Sequence, residues 1–224
     1  GKKVAVFGNN ADVQRTIDDL IAAGVEAFAV DDVVATHGRR SLSHISVRKN
    51  GVVRKVEADC LAVTGGWNPT VHLTCHRGGR PVWDAARLCF VANPEDNPDM
   101  HIAGSAAGVF DTAGCLKTGQ DAGIAVAKAL GKTAGARALP DADARPYVIE
   151  PLWEVEAKGR AWLDFQNDVT TKDVRQAAAE NMQSVEHMKR YTTQGMAPDQ
   201  GKNSNIGALA ILADATGRGI PETG

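Results

Sequence analysis

The sequence predicts an α/β fold with a mainly helical module appended, and three observations carry that reading. Val4 to Asp32 run strand, glycine turn, helix, strand; Asn50-Gly51 sits between two alternating runs; and the stretch from Pro146 onward combines capped helix patterns with no cysteine. Val4-Ala5-Val6-Phe7 is an apolar run of buried-strand type, Gly8-Asn9-Asn10-Ala11 a turn, and Asp12 to Ala23 a helix-period segment closed by Gly24 as its C-terminal cap. Val25 to Val30 is the next strand. It ends in Asp31-Asp32, where a Rossmann unit places the carboxylate that binds a ribose hydroxyl. The turn departs from the dinucleotide pattern. A second glycine is wanted two positions after Gly8, because only a missing side chain lets the backbone reach a pyrophosphate, and Asn10 stands there. Two outcomes stay open for this unit: a bound dinucleotide, or a retained fold whose site is empty or altered.

The alternating runs His44 to Lys49 and Val52 to Val56 flank Asn50-Gly51, a pair that accepts the positive φ of a type I′ turn, so a hairpin is expected there. His37, Arg39, Arg40 and His44 make the segment before it polar, and the two histidines, without ligand spacing, read as solvated surface. Val56 to Thr64 is a further strand breaking at Gly65-Gly66. Met100 to Ala103 reads as another short strand ending in the small residues Gly104-Ser105-Ala106-Ala107-Gly108. A small-residue helix then runs from Thr112 or Gly114 to Leu130, of the kind whose positive end admits a pyrophosphate or ribityl chain.

Charge and cysteine usage narrow the function classes. Lys plus Arg is 25 against 27 Asp plus Glu, a net charge of -2, so no basic field exists to hold a nucleic-acid backbone. No apolar run approaches the roughly 20 residues of a membrane-spanning helix. Cys60, Cys75, Cys89 and Cys115 form no CxxC or CxC pair, so no metal site is read. With no charged-then-apolar leader, a cytoplasmic protein with reduced, core-packed thiols is expected. Gly1-Lys2-Lys3 leads straight into a strand, Gly219 to Gly224 reads as a connector, and the chain reads as a piece of something longer.

The order strand, hairpin, strand at Gly65-Gly66, then strand, Gly-Ser-Ala and helix resembles flavoproteins with two dinucleotide-binding domains, of the glutathione and thioredoxin reductase type. That resemblance implies Rossmann-like FAD/NAD(P)-binding domains. Residues 1–57 would be an inserted second unit and 58–132 the returning half of the first, with a linker over 133–145 after it. Where those flavoproteins carry Gly-Asp, this chain has Gly104-Ser105, which favours another dinucleotide such as NAD over a flavin at that place.

A closer resemblance rests on Gly65-Gly66-Trp67-Asn68-Pro69-Thr70-Val71-His72-Leu73, Gly78-Gly79, Trp83-Asp84, Phe165-Gln166-Asn167-Asp168-Val169-Thr170, Ser184 to Thr193, Gly195-Met196 and Asp199-Gln200-Gly201-Lys202. These words resemble the alpha subunit of heterotetrameric sarcosine oxidase along nearly the whole chain. The resemblance implies a cytoplasmic oxidoreductase complex of alpha, beta, gamma and delta subunits. It would demethylate sarcosine oxidatively to glycine, yield hydrogen peroxide, and pass the one-carbon unit to tetrahydrofolate as 5,10-methylenetetrahydrofolate. FAD would lie in beta, FMN at the alpha–beta interface and NAD in alpha, with the folate-binding part beyond this chain. No catalytic residue is implied here. The NAD contacts of the family map to Asp111, Leu116 and Thr118: an acceptor for ribose hydroxyls, an apolar cover and a hydroxyl near a helix start. Equally, Asp111 and Thr112 fit as caps of that helix.

The same resemblance makes residues 146–224 a helical sarcosine oxidase alpha module of the ferredoxin-like type that has lost its cluster. Related oxidoreductases hold a [2Fe-2S] centre on cysteines there, and this stretch has none. Within it, Thr170 or Thr171 signals a helix start ahead of Val174, Ala177 and Ala178, a second helix lies near Ser184 to Tyr191, and Gly207 to Ala213 is a packing helix. Lys189, Arg190 and Lys202, with Tyr191, Thr192, Thr193 and Asn205, form a polar, basic set suited to a flavin phosphate, to a partner subunit or simply to water. Two alternatives from other classes remain beside the resemblance. One is an NAD(P)H-dependent flavin reductase, against which the missing upstream fingerprint and redox cysteine pair count. The other is a non-catalytic assembly module with relic nucleotide folds, which Asn9-Asn10 supports.

Overall fold

The computed structural model describes residues 2–224. It shows a mixed α/β chain that divides into two compact units. One comprises residues 1–8, 12–64 and 151–224; the other comprises residues 9–11 and 65–150.

In the first unit, β1 (Lys3–Gly8) leads through α1 (Asp12–Ala22) to β2 (Glu26–Val30). The two strands pair in parallel, Lys3 opposite Glu26 through Phe7 opposite Val30. A parallel pair needs a crossover, and α1 supplies it. Its apolar stripe turns Ile17 inward onto Val4 and Val6, with Val13 and Leu20 alongside. Gly24 takes φ 78, the left-handed geometry that ends a helix. Three antiparallel strands come next: β3 (Val33–Gly38), β4 (Leu42–Lys49) and β5 (Val52–Glu57), in the order β3-β4-β5. The turn between the last two is Asn50-Gly51 with φ 52 and 76, as a type I′ turn requires. β6 (Cys60–Thr64) then returns to lie parallel to β1, giving the sheet order β2-β1-β6. A boundary at 57/58 therefore falls just before a strand that completes this sheet. Ala5, Ile45, Val47 and Ala58 close a small core between the two sheets.

The second unit carries less regular structure. α2 (His72–Cys75) precedes a short antiparallel pair, β7 (Val82–Asp84) and β8 (Cys89–Val91). The strand expected over Met100–Ala103 does not form: the segment pairs with no neighbour, and a lone extended run has no ladder to satisfy its backbone. The chain instead enters a 3-10 turn, Gly104–Ala107, that ends at Gly108 with φ 75. α3 (Thr112–Ala129) comes next, and residues 132–148 then run without regular structure.

The remainder of the first unit is built on β9 (Trp162–Asp164), β10 (Val169–Thr170), α4 (Thr171–Ala179), α5 (Val185–Thr192), α6 (Asn205–Thr216) and α7 (Ile220–Thr223). Thr170 caps α4 in a full capping box: Asp173 N–H donates to Thr170 Oγ1, and Thr170 N–H donates to Asp173 Oδ2 at 2.8 Å. Ser184 caps α5. Val169, Val174, Ala177, Ala178, Met188, Ala208, Ile211 and Leu212 make the largest core of the molecule.

Two expectations about side chains are corrected. Of the four thiols only Cys89 is buried, which pushes its pKa up to about 11; Cys60, on an edge strand, and Cys75, at the end of α2, are exposed. His37 and His44 are not simply solvated. The register of β3 on β4 sets them opposite one another, their rings stack at 4.3 Å, and His37 Nε2 lies 2.8 Å from Ser46 Oγ. Partial burial, and beyond it Lys55 and His37, hold His44 below the usual histidine pKa.

Candidate functional site

The start of α3 is where the residues assigned to NAD meet. Asp111 is the N-cap, in extended geometry, and Gly114 N–H donates to its Oδ1 at 2.7 Å. A Cβ at Gly114 would lie 2.5 Å from Val109 Cγ1 and 2.7 Å from Asp111 Oδ2, so glycine lets the cap close without displacing either side chain. The next amides are committed too: Ala113 N–H donates to Asp143 O at 2.9 Å and Cys115 N–H to Asp111 O at 3.0 Å. Thr118 turns inward. Its hydroxyl accepts from Gly104 N–H at 3.0 Å and lies 2.8 Å from Gly114 O, to which it can donate, tying the 3-10 turn to the second turn of the helix. Leu116, half-buried, stands two residues before Thr118, and residues so spaced do not share a helix face.

The three predicted residues thus sit on one short stretch but do different work. Asp111 is a cap with Oδ2 left over, Thr118 braces Gly104, and Leu116 is the apolar neighbour. The donor set suits a ribose, which needs an acceptor and an apolar wall, better than a pyrophosphate, since the amides of the first turn are largely spent. The brace from Thr118 and the cap from Asp143 O carry no local sequence signal.

The residues of a nucleotide unit's first turn are engaged by the chain itself. Gly8 is needed at its position, because a Cβ there would lie 2.5 Å from Thr64 O. Beyond it, Ala11 N–H donates to Val148 O at 3.0 Å, Glu150 N–H to Asn9 O at 2.8 Å, and Asn9 Nδ2 to Glu150 O at 2.5 Å. Asn10 and Ile149 form the resulting antiparallel bridge. At the end of β2 the ribose-type carboxylate is also taken. Arg48 Nε lies 2.6 Å from Asp32 Oδ2 and its Nη2 donates to Glu156 O at 2.9 Å, while Lys49 pairs with Asp31 at 3.6 Å.

In the helical region a cavity of about 350 Å³ is lined by Asn167, Asp168, Val169, Asp173, Gln176, Tyr191 and Thr192. Of the polar, basic set read from the sequence it gathers only Tyr191 and Thr192; Lys189, Arg190 and Lys202 are not part of its wall. Tyr191 Oη donates to Glu180 Oε2 at 2.5 Å, which raises the tyrosine pKa and lowers that of Glu180. Beside this cavity sits a residue that the sequence does not single out. Asp164, only 2% exposed, accepts from the backbone N–H groups of Gln166 (2.9 Å), Asn167 (3.1 Å) and Gly195 (3.0 Å). Burial works to raise its pKa, but those three amides outweigh it and hold the carboxyl below its ordinary value. Asn167 Nδ2 donates to Thr193 O at 2.9 Å, so the β9–β10 turn and the loop after α5 are joined twice over.

Comparison with known proteins places these features. Residues 158–224 match the family described as the sarcosine oxidase A3 domain. Across its whole length the chain is 35% identical to sarcosine oxidase subunit alpha of Rhizobium meliloti (strain 1021), of which it covers 25%. The chain is a relative of sarcosine oxidase alpha subunits. The subunit alpha of Corynebacterium sp. (strain U-96) agrees: it is 36% identical over 97% of the chain, which covers 24% of that protein. The chain therefore spans about a quarter of the length of the curated relatives it matches. Among solved structures, the L-proline dehydrogenase from P. horikoshii superposes with a TM-score of 0.71 over the whole chain and 46% of its own, at 19% identity, a likeness of fold.

Proposed function

We propose that this chain is the nucleotide-holding and interface-forming part of the alpha subunit of a sarcosine-oxidising complex. The observation that carries the proposal is the 35% identity to sarcosine oxidase subunit alpha over the entire chain. On this reading the complex oxidises the N-methyl group of sarcosine with O2 as the electron acceptor, giving glycine and hydrogen peroxide, and passes the one-carbon unit to tetrahydrofolate as 5,10-methylenetetrahydrofolate. A beta subunit would hold FAD, which would supply the amine-oxidising chemistry, FMN would lie at the alpha–beta interface, and gamma and delta subunits would complete the heterotetramer. The chain itself contributes no catalytic group. On the same reading its fold is that of the two-dinucleotide flavoproteins, with the chain returning to the first domain after β6, the strand that completes the inserted sheet.

NAD is held beside α3. Asp111, whose Oδ1 caps the helix, would offer Oδ2 to a ribose hydroxyl, Leu116 would give an apolar cover, and Thr118 would keep the Gly104 turn in place beside the ligand. Bound NAD supplies a hydride-accepting nicotinamide. The exposed Phe165, Tyr191 and Met196, around the turn that Asp164 organises, form the face toward the flavin-bearing subunit. Denaturing the purified chain, and the complex it assembles into, and identifying the released nucleotide by mass spectrometry tests the reading. NAD is expected, with Asp111→Ala lowering its retention about tenfold, the worth of one charge-assisted hydrogen bond. FAD released from this chain in place of NAD would instead identify a flavin reductase, and no nucleotide from the intact complex would leave an assembly module.

A further inference from the structure

We infer that residues 147–150 are a built-in strap that occupies the backbone groups of the Asn9–Ala11 turn and closes it to the pyrophosphate of a dinucleotide. A nucleotide unit presents at this turn a backbone free of side chains and hydrogen-bond partners, so that its amides reach phosphate oxygens. Here the Ala11 amide and the Asn9 carbonyl are both paired with main chain from the strap, in the pattern of one rung of an antiparallel sheet. Asn10, standing where glycine belongs, is the bridging residue itself.

The strap is fixed from its other side. Gly66, at φ 92, passes beneath it so closely that a Cβ would strike Tyr147 Oη and come within 2.6 Å of Ile149 Cδ1. Trp67 N–H donates to Tyr147 Oη at 3.0 Å, and the Tyr147 ring packs on Phe110 with centroids 4.7 Å apart. A peptide segment thus fills, with complementary donors and acceptors, the space and the valences a dinucleotide would use. Restoring the missing glycine is not enough to restore a site that is physically covered.

The inference goes beyond the proposal for α3 and stands apart from it, because its readout is at other residues. Amide hydrogen exchange by NMR on the chain, with and without NADH as the probe, decides it. In the unmodified chain the Ala11 and Glu150 amides are expected to exchange at least about tenfold more slowly than open loop amides. NADH is expected to leave both unmoved, whatever it does at Gly114 or Thr118. Asn10→Gly alone is expected to leave this unchanged, whereas Asn10→Gly with Glu150→Pro, which removes the donor to Asn9, exposes the Ala11 amide and lets NADH shift it. Exchange of Ala11 and Glu150 at open-loop rates in the unmodified chain would overturn the strap. So would a shift of the Ala11 amide by NADH in the unmodified chain or in Asn10→Gly alone, and neither reading depends on the double variant folding.

Discussion

Residues 151–224 and residues 65–150 are held by different means. The first stretch encloses a core in which six consecutive residues of α6, Ala208 to Ala213, are buried, with Val174, Met188 and Leu212 at its centre. The second has Pro69, Cys89 and Ala92 as its buried apolar side chains, and not one of the eighteen residues of α3 is buried. Its order comes from hydrogen bonds instead: the Asp111 cap, the Thr118 brace, Asp143 O on the helix start and the rung at Asn10. Helix stability in water comes mostly from packing one face. A region built on caps and braces is therefore the one whose parts open independently, while the helical region is expected to unfold as a block.

Four measurements break or sharpen that contrast. Leu212→Ala deletes a side chain that is fully buried, and a loss of about 3–4 kcal/mol in chemical denaturation of the helical region is expected. Asp164→Ala leaves three backbone donors without an acceptor at a site 2% exposed, for a loss of about 3 kcal/mol. The Asp164 contribution also depends on pH. Because its folded pKa is lowered, the stabilisation is complete above the unfolded carboxylate value of about 4 and disappears as pH falls through the lower folded value. Denaturation midpoints tracked from pH 6 to pH 2 are expected to drop less steeply in Asp164→Asn than in the unmodified chain. At the small end, Val126→Thr on α3, where the residue is 40% exposed, is expected to cost under about 0.5 kcal/mol. A cost approaching that of Leu212→Ala would mean α3 is stabilised by packing after all.

Legibility in the sequence divides along the same line. The βαβ beginning, the Asn50-Gly51 turn, the Gly24 cap, the Thr170 and Ser184 caps and the buried α6 all announce themselves within a few residues, because caps, turn chemistry and apolar period are local causes. The return of β6 to β1, the facing of His37 on His44 and the rung between Asn10 and Ile149 depend on residues far apart in the chain, and nothing near them signals the partner. Met100 to Ala103 misleads for the converse reason: its composition suits a strand, but a strand exists only where a neighbour completes its ladder. At the candidate site, the capping role of Asp111 is readable from its type and place. The inward turn of Thr118 is not, since it is decided by Gly104 fourteen residues earlier. Asp164 gives no signal because its ligands are main-chain amides, which every sequence supplies anonymously.

The arginine on β4 gives the first unit a property of its own. With one edge of its guanidinium Arg48 grips the acid that closes β2, and with the other it reaches a carbonyl oxygen 108 residues further along. In a dinucleotide domain that acid is a mooring for a sugar. Here it is a rivet that joins early chain to late chain, and its charge serves the architecture.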